Sequence, residues 1–290
     1  MTTATLTRSN MATMAATSMH DEVRRLARER NAVILAHNYQ VPDVQDAADF
    51  VGDSLGLAIE ASKTSSPVIV VCGVYFMAET AKIVNPDRTV LIPDETAGCS
   101  LAESITVEQL RSWKEEHPGA TVVSYVNTSA AIKAESDYCV TSGNAAAVIR
   151  SIPEDQTILF LPDVFLGSWL KRTLGRKNMK IWMGECHVHA GIRAEEIVAR
   201  QEANPGAELL VHPECGCTSR YMWACGTGDL STETTHVLST DGMVKRATSS
   251  PSTTFIVATE TGLLHRLRKE APGKNFLAAD DTAVCRYMKQ

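Results

Sequence analysis

The chain has 290 residues, 44% hydrophobic and 21% charged, with a net charge of −6 and eight cysteines. No apolar stretch reaches the roughly 18 to 20 residues that cross a bilayer, and with no basic run, neither a nucleic acid nor an anionic membrane is expected as a partner. A chain this long and apolar is expected to bury substantial cores in two or three domains and to take small molecules as ligands.

Positions 1–19, rich in Thr, Ala, Met and Ser with Arg8 the one charged residue, hold no contiguous apolar signal core and read as a disordered tail. Beyond it, 32–35, 68–71 and 89–92 are short, continuous apolar runs rich in β-branched residues, the pattern of strands buried on both faces. Between them, 44–50, 56–63 and 78–84 carry helical spacing. A second unit has strands at 121–125, 157–161 and 180–183, and a third at 208–211, 254–258 and 275–278. Asn85-Pro86, Asn204-Pro205 and Pro272-Gly273 break the chain between elements. The alternation predicts an α/β fold of three similar α/β/α domains, 20–104, 105–190 and 191–290, each a parallel sheet covered by helices on both faces.

The three units repeat a signature. Apolar runs end in Ala36-His37-Asn38-Tyr39, Tyr125-Val126-Asn127-Thr128 and His212-Pro213-Glu214-Cys215, and each is followed by a cysteine: His37 to Cys99 is 62 positions, Val126 to Cys186 is 60 and His212 to Cys285 is 73. Inside each unit a small hydroxyl residue recurs in a Gly/Asp/Ser context, namely Ser54, Ser142, and Thr240 with its neighbour Ser239. The offsets are 17, 16 and 28, so the third unit's extra eleven or so residues fall in one place, around 223–235. Self-similarity at fixed spacing is the mark of repeated architecture. In parallel sheets ligands sit beyond the carboxyl ends of the strands, where all these markers fall, so three facing domains would gather their polar residues into one central cleft.

Without a signal peptide, eight cysteines point to a reducing compartment, which makes a disulfide scaffold unexpected and favours ligand or catalytic roles. No Cys-x-x-Cys occurs; Cys99, Cys186 and Cys285 are scattered, one per repeat. Three thiolates converging from three domains can hold a cubane iron–sulfur cluster and leave its fourth iron without a protein ligand, a Lewis acid; small buried hydrophobes are the alternative. Cys72, Cys139 and Cys225 read as such hydrophobes. Cys215 and Cys217 remain open between replacing one ligand, binding a second metal and forming a redox pair.

The signatures resemble a family. Ala36-His37-Asn38-Tyr39-Gln40, Gly52-Asp53-Ser54-Leu55, Met77-Ala78-Glu79-Thr80-Ala81-Lys82, Ala97-Gly98-Cys99-Ser100, Tyr125-Val126-Asn127-Thr128-Ser129-Ala130, Phe160-Leu161-Pro162-Asp163, His212-Pro213-Glu214-Cys215, Thr259-Glu260-Thr261-Gly262 and Cys285-Arg286-Tyr287-Met288-Lys289 together closely resemble the quinolinate synthase family, in order, from Val23 to Lys289. The resemblance implies a cytoplasmic 4Fe-4S enzyme of NAD biosynthesis. It would condense iminoaspartate, supplied by L-aspartate oxidase, with dihydroxyacetone phosphate, releasing phosphate and two waters to give quinolinate. It further implies a pseudo-three-fold axis relating the domains around the site. Cys99, Cys186 and Cys285 would hold the cluster, with the segment at about 275–290 returning toward it. The open iron would take a substrate hydroxyl, carbonyl or nitrogen without electron transfer.

Anionic, oxygen-rich substrates suit hydroxyls, amides and backbone N–H groups at strand ends and helix N-termini. The candidate substrate-binding residues are His37, Ser54, Tyr125, Val126, Asn127, Ser142, His189, His212, Pro213, Glu214, Ser239 and Thr240. Tyr125 and Asn127, two apart, share one side of an extended segment, and Ser54 and Ser142 can equally be helix N-caps. Tyr39, Glu214, His37 and His212 are the candidates for proton transfer; His189 matches a family histidine near the phosphate side, whereas His187 carries no such signal. Tyr75 stands where the family usually has histidine and Gly143 where it has serine, and the sequence stops five residues after Cys285, earlier than is usual. A catalytically impaired iron–sulfur binding or sensor protein, and another open-cluster hydro-lyase, are the alternative functions.

Overall fold

The computed structural model describes residues 8–217 and 233–290, with side chains described from position 19. Helix α1 (Arg8–Glu29) leads into a first unit of β1 (Ala32–His37), α2 (Pro42–Ala47), β2 (Phe50–Gly52), α3 (Ser54–Lys63), β3 (Val68–Cys72), α4 (Tyr75–Val84) and β4 (Thr89–Leu91). Helix α5 (Val107–Glu116) leads into a second, made of β5 (Thr121–Tyr125), α6 (Ala130–Ala134), β6 (Tyr138–Val140), α7 (Ala145–Ser151), β7 (Ile158–Leu161), α8 (Val164–Thr173) and β8 (Met179–Ile181). Helices α9 (His187–Gly191) and α10 (Ala194–Ala203) precede the third, made of β9 (Glu208–Val211), β10 (Thr235–Val237), α11 (Thr240–Ser249), β11 (Thr254–Ala258), α12 (Leu263–Glu270) and β12 (Asn275–Ala278). Among the described residues no helix is long and apolar enough to cross a membrane.

The strands form three four-stranded sheets with one order, β2-β1-β3-β4, β6-β5-β7-β8 and β10-β9-β11-β12, and every pair is parallel. The sequence pattern predicts three strands per unit, and each sheet has a fourth. The additions, β2, β6 and β10, are outer strands of three residues, too short to display a period. In the first unit the span expected as one helix, 44–50, divides between α2 and β2. The tail expected at 1–19 is helical from Arg8 onward, and positions 1–7 lie outside the described residues. Most of the third unit's extra loop also lies outside them; its last residue, Thr235, opens β10.

Strand alternation sends the two faces of each sheet into different cores. Leu35, Val123, Leu210 and Val257, with Leu57 of α3, Leu166 of α8 and Met243 of α11, belong to one continuous apolar cluster shared by all three units. The opposite faces pack separately: Ile34 and Ala36 against Ala27 of α1 and Val44 of α2, Val122 and Leu159 against Leu110 of α5 and Ile132 of α6, and Leu209 and Ile256 against Ile197 of α10. Each sheet is therefore covered on both faces, and one face of each contributes to what holds the units together. Polar contacts add to this joint: Glu79 accepts from the Ala130 backbone N–H (3.0 Å), and Asn38 Nδ2 donates to Thr240 Oγ1 (2.8 Å).

Local chemistry repeats with the topology. One residue before the outer strand, Asp49 accepts the Ile34 N–H and Asp137 accepts the Val122 N–H, both at 2.8 Å across 15 positions, tying each central strand to its neighbour. Four helices stop at the residue preceding a proline, Asn85, His117, Asn204 and Ala271, with ψ values of 65°, 66°, 70° and 64°, because the proline ring excludes the helical conformation there. Gly119, Gly206 and Gly273, which follow three of these prolines, take φ of +78°, +85° and +92°, a region that glycine enters without a Cβ clash.

The third sheet begins on a buried carboxylate. Glu208 accepts from Arg246 Nε (2.8 Å) and Nη2 (3.0 Å), Ser250 Oγ (2.5 Å) and Ser252 Oγ (2.7 Å). Burial pushes its carboxyl up, but Arg246 and the two hydroxyls outweigh burial and hold it at about 2. A depressed folded-state value contributes stability above the unfolded value, near 4.3, and loses it as pH falls through 2. Glu208→Gln is expected to be about 2–3 kcal/mol less stable at pH 7, with the difference shrinking between pH 4.3 and 2. Denaturant unfolding of both proteins across that range checks it; a pH-independent difference would remove the carboxylate from the explanation.

Candidate active site

The carboxyl ends of the central strands meet at a cavity. It takes in His37 and Tyr39 from the end of β1, Tyr125 and Asn127 from β5, His212 and Glu214 from β9, Ser54, Ser142 and Thr240 from the ends of the outer strands, His189 from α9, and Cys99, Cys186 and Cys285 from loops after β4, β8 and β12. Three other candidates do not line it. Val126 lies between Tyr125 and Asn127 on an extended segment and joins the shared apolar core instead. Pro213 is buried in the turn between His212 and Glu214, and Ser239 caps α11, its Oγ accepting the Gly242 N–H at 3.2 Å. The N-cap reading of Ser54 and Ser142 is corrected: the caps are the neighbouring Asp53, which accepts from Gly56, and Asn144.

A hydrogen-bonded chain crosses the cavity wall. Tyr39 Oη and Thr259 Oγ1 are 2.6 Å apart, Thr259 Oγ1 and His189 Nε2 2.8 Å, and His189 Nδ1 and Glu214 Oε2 3.2 Å, while Tyr125 Oη donates to Glu214 Oε1. Its members come from all three units. Glu214 is fully enclosed; burial raises its carboxyl, but His212, His189 and Tyr125 outweigh this and keep it below the usual carboxylate range. His189 is pulled down by burial and then carried to about 10 by Cys186 and Glu214, so both ring nitrogens carry protons, Nδ1 lying 3.2 Å from both Cys186 Sγ and Glu214 Oε2 and Nε2 facing Thr259. Burial lowers His37 to about 3 and His212 to about 4, leaving neutral imidazoles. Burial first and Glu214 second push Tyr39 and Tyr125 well above the ordinary phenol value. A hydroxyl, an imidazole and a carboxylate in line, with a neutral phenol at either end, can take and return protons inside an enclosed site.

Donor groups lie near all three scattered cysteines. The backbone N–H groups of Leu101 and Ala102 are near Cys99 and those of Tyr287 and Met288 near Cys285, and the His189 ring lies 3.2 Å from Cys186 Sγ. Burial is the first cause raising all three thiols, Cys99 to about 12. The donor atoms of Cys186, His189 and Glu214 lie within 4.8 Å of one another, a further set able to hold a metal ion. Cys215 and Cys217 are joined in a disulfide, which agrees with the redox-pair alternative of the three left open for them; the tight turn after Glu214 brings their Cα atoms to 5.2 Å, inside bridging range. Cys72 is buried as expected, Cys139 is exposed on the outer strand β6, contrary to expectation, and Cys225 lies outside the described residues.

Residues without a predicted site role also line the cavity: Asp53, His187, Glu260 and Met288, with Thr259 behind Tyr39. His187 holds Ser100 Oγ with Nδ1 at 2.8 Å and meets the Tyr287 ring edge-on. Thr259 and Glu260 directly follow β11, as Tyr39 follows β1, so the rule that ligands gather beyond strand ends would have found them.

Residues 21–290 match the family described as quinolinate synthetase A protein. Curated relatives named quinolinate synthase include those of Mycobacterium sp. (strain KMS), 58% identical over 92% of this chain and 80% of its own length, and of Mycolicibacterium paratuberculosis, 56% identical over 92% and 77%. The protein of that name from Mycobacterium tuberculosis (strain H37Rv) is 55% identical over 92% and 77%.

Proposed function

The chain belongs to the quinolinate synthetase A family, and from that membership we propose that it is a quinolinate synthase, an enzyme of NAD biosynthesis that condenses iminoaspartate with dihydroxyacetone phosphate and releases quinolinate, phosphate and two waters. The observation that carries this reading is the joint presence, in one cavity, of a thiol from each unit and the chain from Tyr39 to Tyr125. The domains 20–104, 105–190 and 191–290 are read as related by a pseudo-three-fold axis, which the common strand order supports. L-aspartate oxidase is read as the source of iminoaspartate and the cytoplasm as the place of the reaction.

Cys99, Cys186 and Cys285 are the residues that would hold a 4Fe-4S cluster. The donor set fits: three soft sulfur ligands line one cavity, with the His189 ring 3.2 Å from one of them and backbone N–H groups near the other two. Bound there, a cluster with one iron lacking a protein ligand supplies Lewis acidity to the cavity. The remaining work belongs to side chains. Asn127 Oδ1 is buried without a partner, and with the hydroxyls of Ser54, Ser142 and Thr240 near helix N-termini it suits anionic, oxygen-rich substrates. His37 and His212, as neutral rings, can donate at one nitrogen and accept at the other. Thr259, His189, Glu214 and Tyr39 hold and move protons for enolisation, imine tautomerisation and dehydration.

Anaerobic reconstitution with iron and sulfide is expected to give brown protein that forms quinolinate from the two substrates. Colourless, inactive protein under those conditions would falsify the reading, and brown protein that turns over neither substrate would favour an iron–sulfur binding protein without this activity.

A further inference from the structure

Glu260 carries a carboxylate that is 0% exposed at its side chain, an expensive placement unless every lone pair finds a donor. Three donors meet it. Gly262 N–H reaches Oε2 at 2.6 Å, while the Cys285 N–H (3.0 Å) and Lys289 Nζ (2.5 Å) share Oε1. The segment that carries Cys285 follows β12 and contains no helix or strand, so its position depends on such tethers. Others include the Thr261 N–H on Ala283 O (3.0 Å), Gln40 Nε2 on Met288 O (2.6 Å), Thr96 Oγ1 on Gln290 Oε1 (2.8 Å) and Arg200 on Asp281 (2.5 Å).

Of these, only the Glu260 contact is made to Cys285 itself. One carboxylate therefore holds the cysteine's backbone and, through Lys289, the turn that follows it. The same element reaches the other side of the site. A Cβ on Gly262 would stand 2.8 Å from the Tyr39 carbonyl carbon and oxygen. Gln45 Nε2 closes this approach by donating to Asn38 O (3.1 Å), Gln40 O (2.8 Å) and Gly262 O (3.0 Å).

We propose that Glu260 is a positioning residue that fixes Cys285 as the third cluster ligand and, through the Gly262 turn, sets its register against Tyr39. This rests on the reading of Cys99, Cys186 and Cys285 as cluster ligands. A neutral amide cannot replace it, because two donors converge on Oε1 and a third on Oε2, and glutamine presents one acceptor and one donor. Loss of a residue that orients a metal ligand typically weakens metal retention by about tenfold or more.

The test is the rate at which reconstituted, anaerobic protein loses its visible cluster absorbance to a chelator, alongside iron counts and far-UV circular dichroism. Glu260→Gln is expected to lose the cluster at least about tenfold faster than the parent with an unchanged circular dichroism spectrum. Lys289→Met leaves Glu260 its bond to the Cys285 N–H and is expected to fall between the two. Should Glu260→Gln fail to fold, Lys289→Met decides alone: loss at the parental rate overturns the proposal, as does parental retention in a folded Glu260→Gln. A parent protein that takes up no iron overturns the ligand reading itself, an outcome distinct from a loaded parent whose variants behave identically.

Discussion

Single replacement of Cys99, Cys186 or Cys285 by serine is expected to remove the bound iron and sulfide and to lower quinolinate formation by at least about 10³-fold, the scale on which removing an essential catalytic group acts. Serine matches cysteine in shape, but its hydroxyl is a hard, weakly acidic donor where a soft thiolate is needed. Among the described residues no neighbouring thiol is placed to substitute. Cys72 packs on the opposite face of the first sheet with Ile34 and Ala36, Cys139 is exposed on an outer strand, and Cys215 and Cys217 are bonded to each other. Each unit contributes one ligand, so losing any one leaves two, and the three variants should look alike. Cys72→Ser and Cys139→Ser are the controls and should keep parental iron. The measurement is iron and sulfide per chain after anaerobic reconstitution, with product formed; a brown, active Cys99→Ser protein would reassign the ligands.

The parts of the fold legible in the sequence were those with enough residues to show a period. The central strands β1, β5 and β9 and their neighbours β3, β7 and β11 are continuous apolar runs of four to six residues, as burial on both faces requires. Of the three-residue outer strands, β4 and β8 were legible within longer runs at 89–92 and 180–183, whereas β2, β6 and β10 were not, and Phe50 was absorbed into the preceding helical pattern. Their trace was present in another form: the hydroxyl markers Ser54, Ser142 and Thr240 stand just past the ends of β2, β6 and β10, Ser54 and Thr240 opening α3 and α11 and Ser142 in the turn before α7.

Within the site, alternation decided which residues were legible. It separates Tyr125 and Asn127, on the cavity, from Val126, in the core. What one sequence does not display is contact between units. Thr259 matters because it stands between Tyr39 and His189, 220 and 70 positions away, and Glu260 because a loop 25 positions later folds back onto it. Neither distance leaves a local pattern, and Thr259 and Glu260 were visible only as members of a motif with no assigned chemistry.

Glu214→Gln is expected to lower kcat by about 10³-fold, within the range that general acid–base groups contribute, while changing KM by less than about tenfold and leaving iron content parental. Glu214 accepts from His189 at one oxygen and from Tyr125 at the other. Glutamine fills the same volume but turns one of those acceptors into a donor, so either the tyrosine hydroxyl or the imidazole N–H loses its partner. With the charge gone, the imidazole no longer has a carboxylate to hold its second proton, and the path from Thr259 to Tyr39 loses its proton source. The imidazole can give up its second proton and become neutral, so no buried charge is stranded and the stability loss stays below the roughly 3–5 kcal/mol of a broken buried pair. The split is therefore diagnostic: a structural role would lower the unfolding midpoint and raise KM as kcat falls, whereas a proton-handling role lowers kcat in a protein that still folds and still binds iron. His189 Nδ1 also lies 3.2 Å from Cys186 Sγ, so the iron count is the measurement that separates proton handling from a disturbed ligand, and a loaded variant with kcat within threefold of the parent would exclude Glu214 from the chemistry.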